Sequence, residues 1–471
     1  MKAWLFRLSF LITYSAFAQF NVALTQQAVH LFPSLPVKSS YTSLMDRRSG
    51  YDYLYSANME SGLGIYILLG GNNITPVLNL SGAIFNNLDA ATIEQKGNSL
   101  FVGIGDFQVN NNAASGLAIL DITNPASPFI KDIWDSTVFK HGISHILLNG
   151  NFAYLSTMTN GIIILDVSDE NNIVFKSKLQ LDLAFPSPSI NAHNARGLKI
   201  KNDTLYVCFD RGGLRIVDVV NKSTPVEVYK YINTSLTSQA AAAYNDVAIK
   251  GNYAFISVDY CGLEILDISN IPYTTVQWYN PNGCSPTNWS GAAIHTNEVM
   301  LANNDSLLFV SGGQSEVLVF DVTNPLSVTK VGEFVNLNDT LATHGLDVYN
   351  NQVILSLIHT PIHIPPFTPF YADPGGLKLL NYIVSTTASA NTTVTNNTVN
   401  IYQLQNNGVV IESPTQIDAI TIYNIYGKAV FTATAIHLNK YHLTLSHLQS
   451  GVYLIAVKTR QASITKKLSL Y

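Results

Sequence analysis

Histidine is the reactive side chain that recurs in a pattern in this sequence. His141 ("HGISH"), His193 ("HNARG"), His295 ("HTNEV") and His344 ("HGLDV") each stand just ahead of a short apolar run. The segments that follow two of them align closely, "HNARGLKIKNDTLYV" against "HTNEVMLANNDSLLFV". Four imidazoles brought to one place would bind a metal ion or an anionic ligand. The plainer alternative is that each ring hydrogen-bonds a neighbouring loop and is part of a repeated framework, since short pattern matches often arise by chance. Arg196, Asp246 and Asp347 would add charge nearby, with Asp89 and Tyr244-Asn245 at the matching place in other units.

Other chemistry is not legible. The chain has no G-x-S-x-G, no H-E-x-x-H, no phosphate-binding loop and no EF-hand loop, and no pair of carboxylates stands out as acid and base. No cofactor and no resident metal are expected. The formal net charge of −5 offers no basic footprint, so nucleic acid is not expected as a partner. Two long insertions stand out: the Pro-rich aromatic 359–376 is a lip over the channel mouth or else a rigid surface cover, and 279–291 offers Trp289 as a stacking surface for a sugar. Among the three cysteines, Cys208 in "TLYVCFD" reads as a buried apolar residue. Cys261 and Cys284 flank a loop-rich stretch and would form a disulfide in an oxidising compartment; three free thiols is the alternative.

The histidines must be held by the elements around them, and these repeat. "GLEILDISN" (262–270) returns as "GLAILDITNP" (116–125), "GIIILDVSDE" (161–170), "GLRIVDVVNK" (213–222), "EVLVFDVTNP" (316–325) and a worn "GLKLLNY" (376–382). Each copy follows an apolar hairpin built on Gly-Asn, Asn-Asp or Asn-Asn, such as "GNYAFISV" (251–258), turns that tolerate positive φ. The motif aspartates, Asp121, Asp166, Asp218, Asp267 and Asp321, lie 45, 52, 49 and 54 residues apart. Followed by Ser, Thr or Asn, they are suited to accept local backbone N–H groups and to end a strand. A period near fifty with four strands per unit predicts a β-propeller. Unbroken apolar runs such as "IIIL" imply strands buried on both faces, as between two blades.

Seven units fit between about residues 41 and 384. The seventh lacks a fourth strand, whereas "NVALTQQAVHLF" (21–32) belongs to no unit. The expectation is that this N-terminal segment becomes the outer strand of the last blade and closes the ring, since an unpaired edge invites aggregation. Ahead of it, "MKAWLFRLSFLITYSAFAQF" has two basic residues, a short apolar stretch and Ala-Phe-Ala, which reads as a secretory leader cleaved after Ala18. No later stretch is long and apolar enough to suggest a membrane span.

The Gly-apolar-Asp core and its order resemble the LVIVD-repeat family of secreted bacterial propellers. That resemblance implies a fold and an extracytoplasmic setting, and no catalytic residues. The C-terminal stretch has "IYNIYGKAV", "LTLSHLQSGVYLIAVKT" and "KKLSLY", with Gly427, Leu448, Gly451, Tyr453, Lys466 and Lys467 at the motif positions. It resembles the C-terminal sorting domain of type IX secretion cargo in Bacteroidetes. The usual opening Pro-Asn-Pro is replaced by "YQLQNNG". The resemblance implies recognition by the type IX machinery, passage through the outer membrane, then release or surface attachment.

The expected organisation is a leader (1–18), an all-β seven-bladed propeller (19–384, with 19–40 the closing strand), a Thr/Asn-rich linker (385–400) and a small β-sandwich sorting domain (401–471). The functional expectation is a secreted or cell-surface binding or scaffolding propeller without catalytic activity, meeting an extracellular glycan or protein. A hydrolase or lyase acting at the channel mouth, and an adhesin, are the alternatives.

Overall fold

The computed structural model describes residues 19–470 except 34–38, 72, 106–113, 188–192, 238–241, 281–282, 285–294, 314–315, 337–338, 360–371, 388–398, 404–407, 446 and 460–462. The expected leader, Trp289, most of the 359–376 insertion and most of the 385–400 linker lie outside the described residues.

The repeat acts first through local geometry. All five motif aspartates accept the backbone N–H two residues on, at 2.8–3.0 Å, and so end the third strand of their unit. The motif glycine has a different task. Gly262 has a φ of 84° and Gly161 one of 79°, and a Cβ on either would run into a carbonyl oxygen of its unit's fourth strand. Glycine enters the third strand there without strain; blade six has Glu316 at this position, at a φ of 52°.

Among the described residues these units form seven four-stranded antiparallel sheets. Blades one to six occupy residues 42–80, 90–140, 145–179, 198–231, 244–279 and 299–334. Blade seven takes three strands from Thr343–Tyr349, Gln352–Leu357 and Gly376–Thr387, and its fourth is the N-terminal strand Gln19–Leu31. The last of the three runs beyond the expected end at 384. The ring is tied shut at this seam, where Ser43 and Ser356 hydroxyls meet at 2.7 Å and Met45 N–H donates to Asp347 at 2.9 Å.

Packing explains the unbroken apolar runs. Seven of the buried clusters of the propeller proper are each shared by two successive blades. Ile163 and Leu165 face blade two, whereas Ile162 and Ile164 face blade four. Each large apolar third-strand side chain therefore has a dry neighbour, and burying it contributes about 1.5–3 kcal/mol. Cys261 and Cys284 are joined by a disulfide beside this core, and Cys208 is a buried free thiol.

The chain divides into one compact unit of Phe20–Thr386 and a second that contains Thr387–Tyr471. The second is a single five-stranded sheet: Asn400–Gln403, Gly408–Tyr423, Ala429–Thr444, Gly451–Thr459 and Ser463–Leu470. The two long strands shift register between Glu412 and Ile417, and the sheet folds over a core of Ile411, Ile417, Ile420, Ile422 and Ile455. The sandwich thus comes from one bent sheet. Gly427 makes its hairpin turn at a φ of 74°. Leu448 packs against the core, Tyr453 OH donates to the Gln449 carbonyl at 2.9 Å, and Lys466 Nζ donates to the Val399 carbonyl at 3.2 Å. Lys467 is exposed, opposite Leu454 in the adjacent strand, and Gly451 opens the Gly451–Thr459 strand.

Candidate functional site

The first strand of every blade touches the first strands of both neighbours, so seven of them ring the central axis. A first strand is the inner edge of its sheet and has N–H groups with no ladder partner. Carboxylates from the preceding blade take several of these. Asp246 accepts from Val299 N at 3.1 Å, Glu298 from Leu346 N at 2.8 Å, and Asp347 from Met45 N at 2.9 Å. The three acids thereby tie blades five to six, six to seven and seven to one.

Enclosure by the ring raises the cost of ionising them. Burial pushes Asp246 up to about 6 and Glu298 well above the usual carboxylate range. Glu94 and Asp347 are also raised, again chiefly by burial. Lys199 acts on Glu94, His145 and Asp246 together, which places its charge within reach of three blades. Arg47 is paired with Asp347, and its guanidinium lies 4.6 Å from the ring centre of Tyr349. His145 is held neutral, its pKa pushed down to about 3 by burial and then by Lys199. The channel wall is a mixed acid–base surface.

One mouth of the channel collects a second group. His295 sets Nε2 against the Asp259 carboxylate, accepts at Nδ1 from Asn297 at 3.1 Å, and lies 4.5 Å from the ring of Tyr260. His344 donates from Nδ1 to the Tyr41 carbonyl at 3.3 Å, which ties blade seven to the chain entering blade one. Burial lowers His344 to about 3, and the Arg196 and His295 charges push the same way. Arg196 lies 3.9 Å from Asp210, which also accepts from Asn194 at 2.8 Å. Burial raises Asp210, and the charge of Asp259 adds to that effect. Arg196, Asp210, Asp259, His295 and His344 thus interact across blades four to seven.

The four histidines singled out in the sequence do not converge as a set. His295 and His344 share the mouth. His193 is buried, donates from Nε2 to the Phe185 carbonyl at 2.9 Å, and lies 5.7 Å from the ring of Phe209. His141 is half-buried at a φ of 75°, just past the Phe129–Lys140 strand. The second histidine of "HGISH", His145, opens the first strand of blade three and reaches the channel electrostatics. Among the described residues, no group of three or more His, Cys, Asp or Glu has a metal-holding arrangement. Sequence reasoning marked Asp246 and Asp347 but missed Glu94, His145, Lys199, Glu298 and Arg47. The available signal was a polar residue interrupting an apolar first strand, as in "TIEQK", "LKIK" and "EVML".

With this geometry in place, comparison with known proteins is decisive for the family. The LVIVD repeat model matches residues 93–136, 143–180, 192–233 and 243–275, which correspond to blades two to five. The secretion system C-terminal sorting domain model matches residues 396–470. The chain is an LVIVD-repeat propeller protein with a type IX sorting tail. It is therefore a protein of the cell surface or the exterior, with the type IX machinery as its export partner. No helix among the described residues is long and apolar enough to cross a membrane.

No curated protein matches this LVIVD propeller. Similar solved structures include the RRP9 WD40 repeats, at 9% identity and a TM-score of 0.53 over 77% of this chain and 100% of that one. U3-55K is similar at 9% identity and a TM-score of 0.52, over 77% of this chain and 98% of its own. A chain of a mitotic checkpoint complex matches at 11% and 0.50, over 81% of this chain and 96% of its own. At such identities the likeness concerns the fold alone.

Proposed function

We propose that this propeller is a binding or scaffolding module without catalytic activity, displayed outside the cell, which meets its ligand at the mouth bounded by blades four to seven. The carrying observation is how the mouth histidines are held. His295 Nε2 lies against the Asp259 carboxylate and His344 Nδ1–H goes to the Tyr41 carbonyl. Both rings are fixed parts of a surface, held by neighbours from other segments. Arg196, Asp210 and Asp259 give that surface charge of both signs, which suits a hydroxyl-rich glycan or a polar protein loop.

A second reading has one observation in its favour. An imidazole beside a carboxylate, as His295 stands beside Asp259, acts as a general base once substrate displaces Asn297 from its Nδ1. A hydrolase or lyase at the mouth would use it. Purified protein should be screened against glycan arrays and extracellular protein fractions for binding, and against polysaccharides and peptides for turnover. Binding that Arg196→Ala and His344→Ala weaken, with no turnover, supports the binding module. Turnover that His295→Ala abolishes would replace it with the enzyme. Ligand contact that survives loss of all four histidines and of Arg196 would favour an adhesin reading across the loop face.

A further inference from the structure

The motif repeats a slot two residues after its glycine. Blades two to seven place Ala118, Ile163, Arg215, Glu264, Leu318 and Lys378 there. The side chain at this slot turns toward the preceding blade, as Ile163 does toward blade two. Blade one has Gly64 instead, at the seam where the ring closes. A Cβ at Gly64 would lie 2.6 Å from Tyr66 OH and 2.8 Å from Asn58 Nδ2, so these two side chains have moved into the vacated slot.

Beside them opens a cavity of about 430 Å³ between blade one and the end of the closing strand. Its volume lies within the range of small-molecule sites, roughly 300–1,000 Å³. Its walls are aromatic. Phe32 and Tyr66 are 16° from parallel with ring centres 6.5 Å apart, and His30 stands edge-on to both, at 5.9 and 5.3 Å. Asn58 and Asn79 supply amides, and Val77 forms an exposed rim. Asn58 donates to the Tyr66 oxygen, so the phenol keeps its own hydrogen to give. Among the described residues no Asp, Glu, Lys or Arg lines the cavity, and burial holds His30 below its ordinary value, so this lining is neutral.

We infer that this seam cavity is a binding site for an uncharged sugar ring. Aromatic faces pack against the C–H faces of a pyranose, which are apolar, while the amides and the phenol serve its hydroxyls. A neutral lining would leave a buried phosphate, carboxylate or ammonium without a counter-charge. The site is separate from the channel mouth and does not depend on the function proposed there.

The test is calorimetric titration of the purified protein with glucose, galactose, mannose and N-acetylglucosamine, with indole as an apolar probe. At least one sugar should bind saturably, with a Kd between about 10 µM and about 10 mM. Val77→Trp, which fills the cavity from its rim, and Tyr66→Phe should each weaken binding about tenfold or more at unchanged Tm. Val77→Trp alone decides the matter if Tyr66→Phe disturbs folding. Arg196→Ala and His344→Ala should leave the affinity unchanged. If no sugar saturates, if Val77→Trp binds as well as the parent, or if indole alone binds, the inference is overturned. Loss of sugar binding in Arg196→Ala or His344→Ala would also overturn it and would assign the sugar to the mouth.

Discussion

Asp246 has a carboxyl group among blades five and six, where its ionised form is poorly solvated but its oxygens are needed by two N–H groups, Val247 at 2.8 Å and Val299 at 3.1 Å. Its folded pKa stands at about 6 against an ordinary 3.8, so the folded state holds more protons than the unfolded one across that window. Its contribution to stability is full below about pH 4 and is lost as pH rises through about 6. Asp246→Asn keeps an acceptor and removes the titration. Thermal melts of the variant between pH 4 and pH 7 should show a flatter profile, the difference at pH 7 amounting to about 1–3 kcal/mol. Lys378 and Glu316 form a different buried pair, at 2.6 Å, with burial pushing Glu316 up to about 7. Lys378→Met strands that carboxylate and should cost about 3–5 kcal/mol in urea unfolding. Glu316 also occupies the motif's glycine position at a φ of 52°, so adding Glu316→Gly should restore most of the loss.

Among the elements, the closing strand Gln19–Leu31 and the motif turn bear the most strain if altered. Val22 packs into the core shared by blades six and seven, and Phe32, just past the strand, into the core shared by blades seven and one. Deleting residues 19–36 removes both anchors and bares the Gly376–Thr387 edge, so the Tm should fall by about 10 °C or more, with aggregation. An unchanged melt would mean the ring is closed by something else. Gly262→Ala should cost about 2 kcal/mol or more, because its Cβ meets the Tyr279 carbonyl and its φ is left-handed. These elements were legible because glycine, Asn-Asp turns and strand-ending aspartates act within a few residues of themselves. The blade-seven closure was legible only by subtraction, from an unassigned strand at one end and a missing one at the other.

At the scale of the whole molecule, the propeller and the sorting domain are separate compact units with separate cores, that of the latter built on Ile411, Ile420 and Ile455. Removing residues 396–470 should leave the Tm of the propeller unchanged while surface or extracellular protein falls to background in a type IX-competent host, as measured by fractionation. Co-loss of propeller stability would show that the two units fold as one.

Sequence alone determined the class of fold, the repeat and its period, and the export tail. All of these rest on patterns that recur along the chain, where neighbouring residues dictate turns, alternation and burial. The channel and the seam could not be obtained that way. Glu298 binds Leu346 N–H and Asp347 binds Met45 N–H, pairs separated by 48 and 302 residues. His145, four residues on from His141, joins the channel electrostatics, lowered by burial and then by Lys199. Which side chains face the axis, and which acids are pushed up by enclosure, depends on how seven blades are rotated about a common centre. That rotation is set by packing between distant segments, so it became visible only once the ring was closed.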